Sequence, residues 1–227
     1  KHIALANFFA RLDNTLPNIH LRILYTPSFK KKNTGFYYYL NEVNPYLLNK
    51  KIFIYSLTDK NIEIFNNVLN SNVGIYKTNI PWVFYNRIKI NKSITIGYMG
   101  DARESRGFNL LPDLINKLYN KNPKLNFLIQ FAKTSSVSTN ITSDKLFQMA
   151  KKNTNIKILK TYLDYADFRN TLQKIDIMPI LHNNEEINNG NPSTIYSSIT
   201  HEVPMILPEN LSYMKDILIH KSFEIAI

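Results

Sequence analysis

With 227 residues, 44% of them hydrophobic, the chain is long enough for one large domain or two small ones. It contains no cysteine, which excludes disulfides, thiolate metal sites and cysteine nucleophiles and fits a cytoplasmic protein. The formal net charge of +11 comes from lysines scattered among asparagines and isoleucines, with short basic clusters such as 30–32 and 50–51. That scatter reads as solvated surface and disfavours nucleic acid as the partner. Attraction to a phosphorylated donor, or a peripheral contact with an anionic membrane surface, stays open.

No apolar run approaches the roughly 18–20 residues that a membrane helix needs. The first residues, from Lys1 to Arg11, read with Ile3, Leu5, Phe8, Phe9 and Leu12 as an amphipathic helix, not as a signal peptide. The chain lacks an initial Met and stops on the apolar FEIAI, so both ends read as cuts through folded structure. Short β-branched or aromatic runs at 20–25, 51–56, 73–77, 94–99, 125–130, 156–159, 176–180 and 204–207 predict strands. Between them, apolar residues spaced by three and four predict helices at 36–48, 59–69, 110–119, 143–152, 165–173 and 194–200. The stretch 134–142 (TSSVSTNIT) is polar and reads as a surface loop. The run Tyr37-Tyr38-Tyr39, between Phe36 and Leu40, reads as core packing.

Strand–helix alternation implies parallel sheets covered on both faces. A proline- and lysine-bearing break divides the chain into a partial N-terminal α/β domain at 1–85, a linker at 86–92 and a second α/β domain at 93–227.

Residues 94–111 (ITIGYMGDARESRGFNLL) place a strand end, a loop with Asp101, Arg103, Glu104 and Arg106, and a helix in sequence. In open α/β sheets ligands sit at the carboxyl ends of strands. Gly100 and Gly107 allow close backbone approach, and two arginines can grip a diphosphate. The competing reading is a surface turn whose arginines pair with Asp101 and Glu104. Neither the G-x-G-x-x-G fingerprint nor the G-x-x-x-x-G-K-[ST] phosphate loop is present. Residues 188–198 (NNGNPSTIYSS) place Asn191 as a cap, Pro192 in a first helical turn, and the hydroxyls of Ser193 and Thr194 beside free amides. A helix start of this kind holds anions, although capping without a ligand has the same pattern.

The order of these pieces resembles the C-terminal domain of retaining glycosyltransferases of the GT-B fold, in the family that includes sucrose synthase and mannosyltransferases. The pieces are G-D-A-R-E-x-R-G-F-x-L-L, F-L-I-Q, I-x-I-L, D-I-x-P-I, N-G-x-P-S-T and V-P-M-I-L-P. The resemblance runs from Ile94 to Ile227, with a weaker similarity at 55–81 to the end of the N-terminal domain. It implies two Rossmann-like domains, the N-terminal one incomplete, and a metal- and cofactor-independent transfer from a nucleotide diphosphate sugar to a glycan, lipid or protein acceptor. It assigns Gly100, Arg106 and Gly107 to the donor diphosphate loop. Arg103 lies in that loop but off the family's arginine position. It assigns Gly190, Ser193 and Thr194 to the distal phosphate, and Thr161, Tyr162 and Leu163 to the base. Acceptor-side catalytic residues would lie upstream of Lys1.

The family commonly carries two glutamates eight positions apart, for the donor sugar and the ribose. Here Asn189 and Ser197 stand there, able to hydrogen bond but uncharged. Both point to an alternative: a non-catalytic relative that binds nucleotide or glycan. His201-Glu202 replaces the family's small residue before Val203-Pro204. Of the five histidines, His2, His20, His201 and His220 read as surface or satisfied polar groups, and His182 as a candidate donor contact. Glu185 and Glu186 read as solvated loop, with hydroxyl binding as the alternative. No histidine–carboxylate spacing suggests a metal.

Overall fold

The computed structural model describes residues 2–12, 17–23, 35–69, 74–78, 85, 93–134, 136–183, 192–209, 211 and 223–226. Among these, residues up to 78 form one compact unit and residues from 85 onward another.

The first unit alternates α1 (His2–Leu12), β1 (Ile19–Arg22), α2 (Gly35–Leu48), β2 (Ile52–Ser56), α3 (Asp59–Leu69) and β3 (Ile75–Lys77). Its strands are parallel in the order β1-β2-β3. Ile52 and Ile54 alternate inward along β2, and Leu40, Val43 and Leu47 of α2 close on them at helical spacing, so burial follows the two periodicities. Thr58 caps α3 by accepting a hydrogen bond from the Asn61 amide at 3.1 Å. Two sequence expectations fail here. Helix α1 forms, but Ile3, Ala6 and Ala10 face the core while Leu5, Phe8, Phe9 and Leu12 are exposed. The small side chains let α1 lie close to α2, and the large ones are left on the outside. Tyr38 and Tyr39 are likewise exposed, because Leu40 and Val43 fix the inward face of α2 and turn that pair away from it.

The second unit contains β4 (Thr95–Met99), two 3-10 turns (Glu104–Arg106 and Phe108–Leu110), α4 (Leu111–Lys121), β5 (Asn126–Phe131), α5 (Val137–Lys152), β6 (Ile156–Lys160), α6 (Tyr165–Leu172), β7 (Met178–Pro179), α7 (Ser193–Thr200), β8 (Met205–Pro208) and β9 (Phe223–Ala226). Two parallel ladders, β4-β5-β6 and β7-β8-β9, meet where Ile96 bridges Ile177 in parallel. There the Gly97 amide donates to the Ile177 carbonyl at 2.9 Å and the Asp176 amide to the Thr95 carbonyl at 2.8 Å. The spatial order is therefore β6-β5-β4-β7-β8-β9, a doubly wound sheet whose order reverses between β4 and β7. All strands expected in this half form, and all recorded pairings are parallel.

One face of β4–β6 packs Tyr98, Phe127, Ile129 and Phe131 against α4 and α5. The expected loop at 134–142 is instead the start of α5. Ser136 caps it, its hydroxyl accepting from the Thr139 amide at 3.2 Å while the Thr139 hydroxyl accepts from the Ser136 amide at 2.9 Å. No helix among the described residues is long and apolar enough to cross a membrane.

Candidate functional site at the sheet reversal

The carboxyl ends of β4 and β7 flank the point where strand order reverses, so the loops that follow them diverge and leave a crevice. The loop after β4 is anchored at both ends. At its start the Tyr98 hydroxyl donates to the Asp101 carbonyl at 2.9 Å. At its end the fully buried Phe108 packs edge-to-face on Phe131, with ring centroids 4.8 Å apart. Gly107, at φ 71°, has the backbone of Leu181 so close that a Cβ would lie 2.4 Å from its carbonyl oxygen. The Asn183 amide donates to the Ser105 carbonyl at 2.8 Å, joining the loops after β4 and β7 directly. His182 is buried in the same place.

Gly100 has φ 135°, a conformation that favours glycine, and a Cβ there would point to Arg106 Nη1 at 3.5 Å and Thr194 Cγ2 at 3.9 Å. Missing that side chain, the position leaves a space bounded by a guanidinium and the start of α7. The Thr194 hydroxyl is buried and has no hydrogen-bond partner among the described residues. Pro192 is the residue preceding the helix, one position earlier than the first-turn role expected for it. Ser193 and Thr194 thus supply the first amides of α7, which have no carbonyl partner within the helix.

Both arginines also pair with Asp101, Arg103 Nη2 at 2.9 Å and Arg106 Nη1 at 3.7 Å. Arg106 is the more enclosed, its side chain 22% exposed against 48% for Arg103. Glu104 turns away and accepts from the Ser136 hydroxyl at 3.1 Å. The pairing envisaged for a plain surface turn is present at Asp101.

Gln130 was missed by sequence reading. It is the penultimate residue of β5, is buried, and connects three strand ends. Its Oε1 accepts from the Gly100 amide at 3.2 Å, and its Nε2 donates to the Thr161 carbonyl at 2.8 Å. The signal was a polar residue inside the apolar run 127–131. Thr161, Tyr162 and Leu163 follow β6 at the same edge of the sheet, with Tyr162 largely exposed. Ser197 lies midway along α7, where its carbonyl accepts from His201 Nδ1 at 2.8 Å. Asn189, Gly190, Asn191, Glu185, Glu186 and His220 lie outside the described residues.

No family model and no curated protein matches the sequence. Solved structures do match. TarM superposes with a TM-score of 0.63 at 13% identity, over 96% of this chain and 42% of its own. A UDP-forming α,α-trehalose-phosphate synthase from Burkholderia xenovorans gives 0.65 at 8% identity, over 92% of this chain and 58% of its own. The apo structure of OtsA gives 0.62 at 10%, over 94% and 57%. The chain spans about half the length of the solved chains it matches. A parallel three-stranded unit followed by a doubly wound unit, matched along nearly its whole length to these structures, gives the chain the GT-B fold.

Proposed function

We propose that this chain is the donor-binding part, with a portion of the acceptor side, of a glycosyltransferase that uses a nucleotide diphosphate sugar without a metal. The observation that carries this reading is the meeting of Gly100, Arg106 and Thr194 at the sheet reversal. In such a transfer the bond between the anomeric carbon and the distal phosphate oxygen breaks, and one from that carbon to an acceptor oxygen forms. The acceptor proton passes to a base, and negative charge collects on the departing diphosphate. Arg106, assisted by Arg103, and the first amides of α7 are suited to stabilise that charge, because fixed donors in a partly enclosed site need no reorganisation as it develops. Binding would exchange the Asp101 carboxylate for phosphate oxygens on the same guanidinium. Gly107, Gly190 and Ser193 complete the diphosphate cradle in this proposal. Thr161, Tyr162 and Leu163 face the base, while Asn189 and Ser197 offer uncharged hydrogen bonds to the sugar and ribose. The acceptor is a glycan, lipid or protein.

A charge-assisted hydrogen bond contributes about 1.5–3 kcal/mol, so Arg106→Ala is expected to weaken nucleotide diphosphate binding roughly tenfold to a hundredfold. Lys124→Ala removes the same charge at the other end of β5 and is expected to change little. Calorimetric titration at fixed salt compares them. Equal losses would assign the binding to general positive charge, and no binding by the unaltered chain would sink the reading. Binding without sugar transfer in the full-length protein would favour a non-catalytic relative, the outcome that uncharged Asn189 and Ser197 motivate.

A further inference from the structure

Tyr85 makes contacts that the donor site does not account for. Its amide donates to the Thr200 carbonyl at 2.9 Å, satisfying one of the acceptors that the last turn of α7 leaves open. Its ring stacks on His201, centroids 4.8 Å apart and planes 24° apart. His201 is buried, and its Nδ1 donates to the Ser197 carbonyl at 2.8 Å, so the stacked ring itself seals the same helix end. The Arg169 guanidinium of α6 lies 4.0 Å over the Tyr85 ring. Finally, the Tyr85 hydroxyl meets the Tyr165 hydroxyl at 2.6 Å, at the first residue of α6.

A single side chain therefore grips two helices, each of which continues a segment assigned to the donor. Tyr165 lies two residues beyond Leu163, in the segment proposed for the base. Helix α7 begins with Ser193 and Thr194, proposed for the distal phosphate. An eight-residue helix is about 12 Å long and moves as a rod, so fixing its carboxyl end fixes where its amino end points. The buried Ile195 and Ser198 hold the middle of α7, the latter through a hydroxyl contact of 3.4 Å to the Met178 sulfur, but they leave its two ends to be set by other groups.

We propose that Tyr85 is a positioning residue for the donor, setting the spacing between the base-binding segment and the phosphate-binding end of α7. This rests on the donor reading above. A ligand touching only one of the two places does not sense their spacing, whereas a nucleoside diphosphate touches both. Uridine, adenosine and guanosine, each with its 5′-mono- and diphosphate, are titrated into the 227-residue chain and into Tyr85→Ala and Tyr85→Phe. For the base that binds, Tyr85→Ala is expected to shrink the affinity gain of diphosphate over nucleoside about three- to tenfold, the range of one aromatic pairing. Binding of the nucleoside alone should hold. Tyr85→Phe keeps the ring on His201 and Arg169 and should recover most of the gain.

Hydrogen exchange without ligand gives a second readout. Peptides covering α6 and α7 should exchange faster in Tyr85→Ala, and α7 should regain protection in Tyr85→Phe. Equal weakening of nucleoside and diphosphate marks general loosening and overturns the proposal. So does unchanged exchange in a chain that binds diphosphate, and in that case the donor reading survives. Failure of the unaltered chain to bind any nucleotide removes the donor reading and this proposal together.

Discussion

Gly97 lies where β4 meets β7, and a Cβ there would fall 2.3 Å from Cδ1 of the fully buried Ile175. Its absence lets Ile175, three residues before β7, lie directly on β4, which brings the two halves of the sheet together. Gly97→Ala is expected to cost about 1–3 kcal/mol by overpacking. Ile175→Ala alone costs about 2–5 kcal/mol as a cavity, and the double variant should cost clearly less than the sum, since the methyl group fills the space vacated. Denaturant unfolding of the three variants measures this, and additive costs would mean the strain is absorbed elsewhere. Gly100 and Gly107 were legible in the sequence as loop glycines, and both have positive φ, but Gly97 was not singled out. Nothing in T-I-G-Y-M separates a glycine that admits a ligand from one that admits an isoleucine. Gln130 was overlooked for a related reason: its role depends on the strand ends on either side of it, and sheet order is not written in local periodicity.

At the level of elements, α7 ends in a Schellman arrangement, with the Val203 amide donating to the Ser198 carbonyl at 2.9 Å and the Glu202 amide to Ile199 at 3.1 Å. The residue that this motif places in the left-handed region is Glu202, at φ 54°. Glycine is usual there, which gives a conformational reason for the small residue that the resembling family keeps before its V-P segment. Glu202→Gly should stabilise the protein by about 1 kcal/mol, and Glu202→Val should destabilise it; thermal unfolding tests both. The strands and most helices could be read from the chain because buried Ile, Leu and Phe recur at periods of two and near four. The first half of α5 could not. Its inward positions are Thr139, Thr142 and Ser143, small polar residues that pack closely but carry no hydrophobic signal. Its capping box uses Thr139 in place of the glutamate or glutamine that marks such starts. In α1 the apolar count was right and the face wrong, since alanines occupy the tight contact and phenylalanines the open side.

Across the whole molecule, the two buried clusters share no residue: one is built from Ile3 to Ile75, the other from Tyr98 to Ile156. Each unit also closes its own hydrogen-bonded sheets among the described residues. Scanning calorimetry is expected to resolve two transitions, with Gly97→Ala lowering only one of them. A single transition displaced as a whole would indicate one cooperative body. The Asn183–Ser105 hydrogen bond and the contact of Gly107 with Leu181 bear on how such a protein can be re-engineered. The turns after β4 and β7 are one part made of two distant stretches of chain. Transplanting residues 100–107 from another protein of this fold without 181–183 would bring a glycine shaped for a neighbour that is no longer there. On the proposed donor reading, donor preference should therefore transfer between scaffolds only when both stretches travel together.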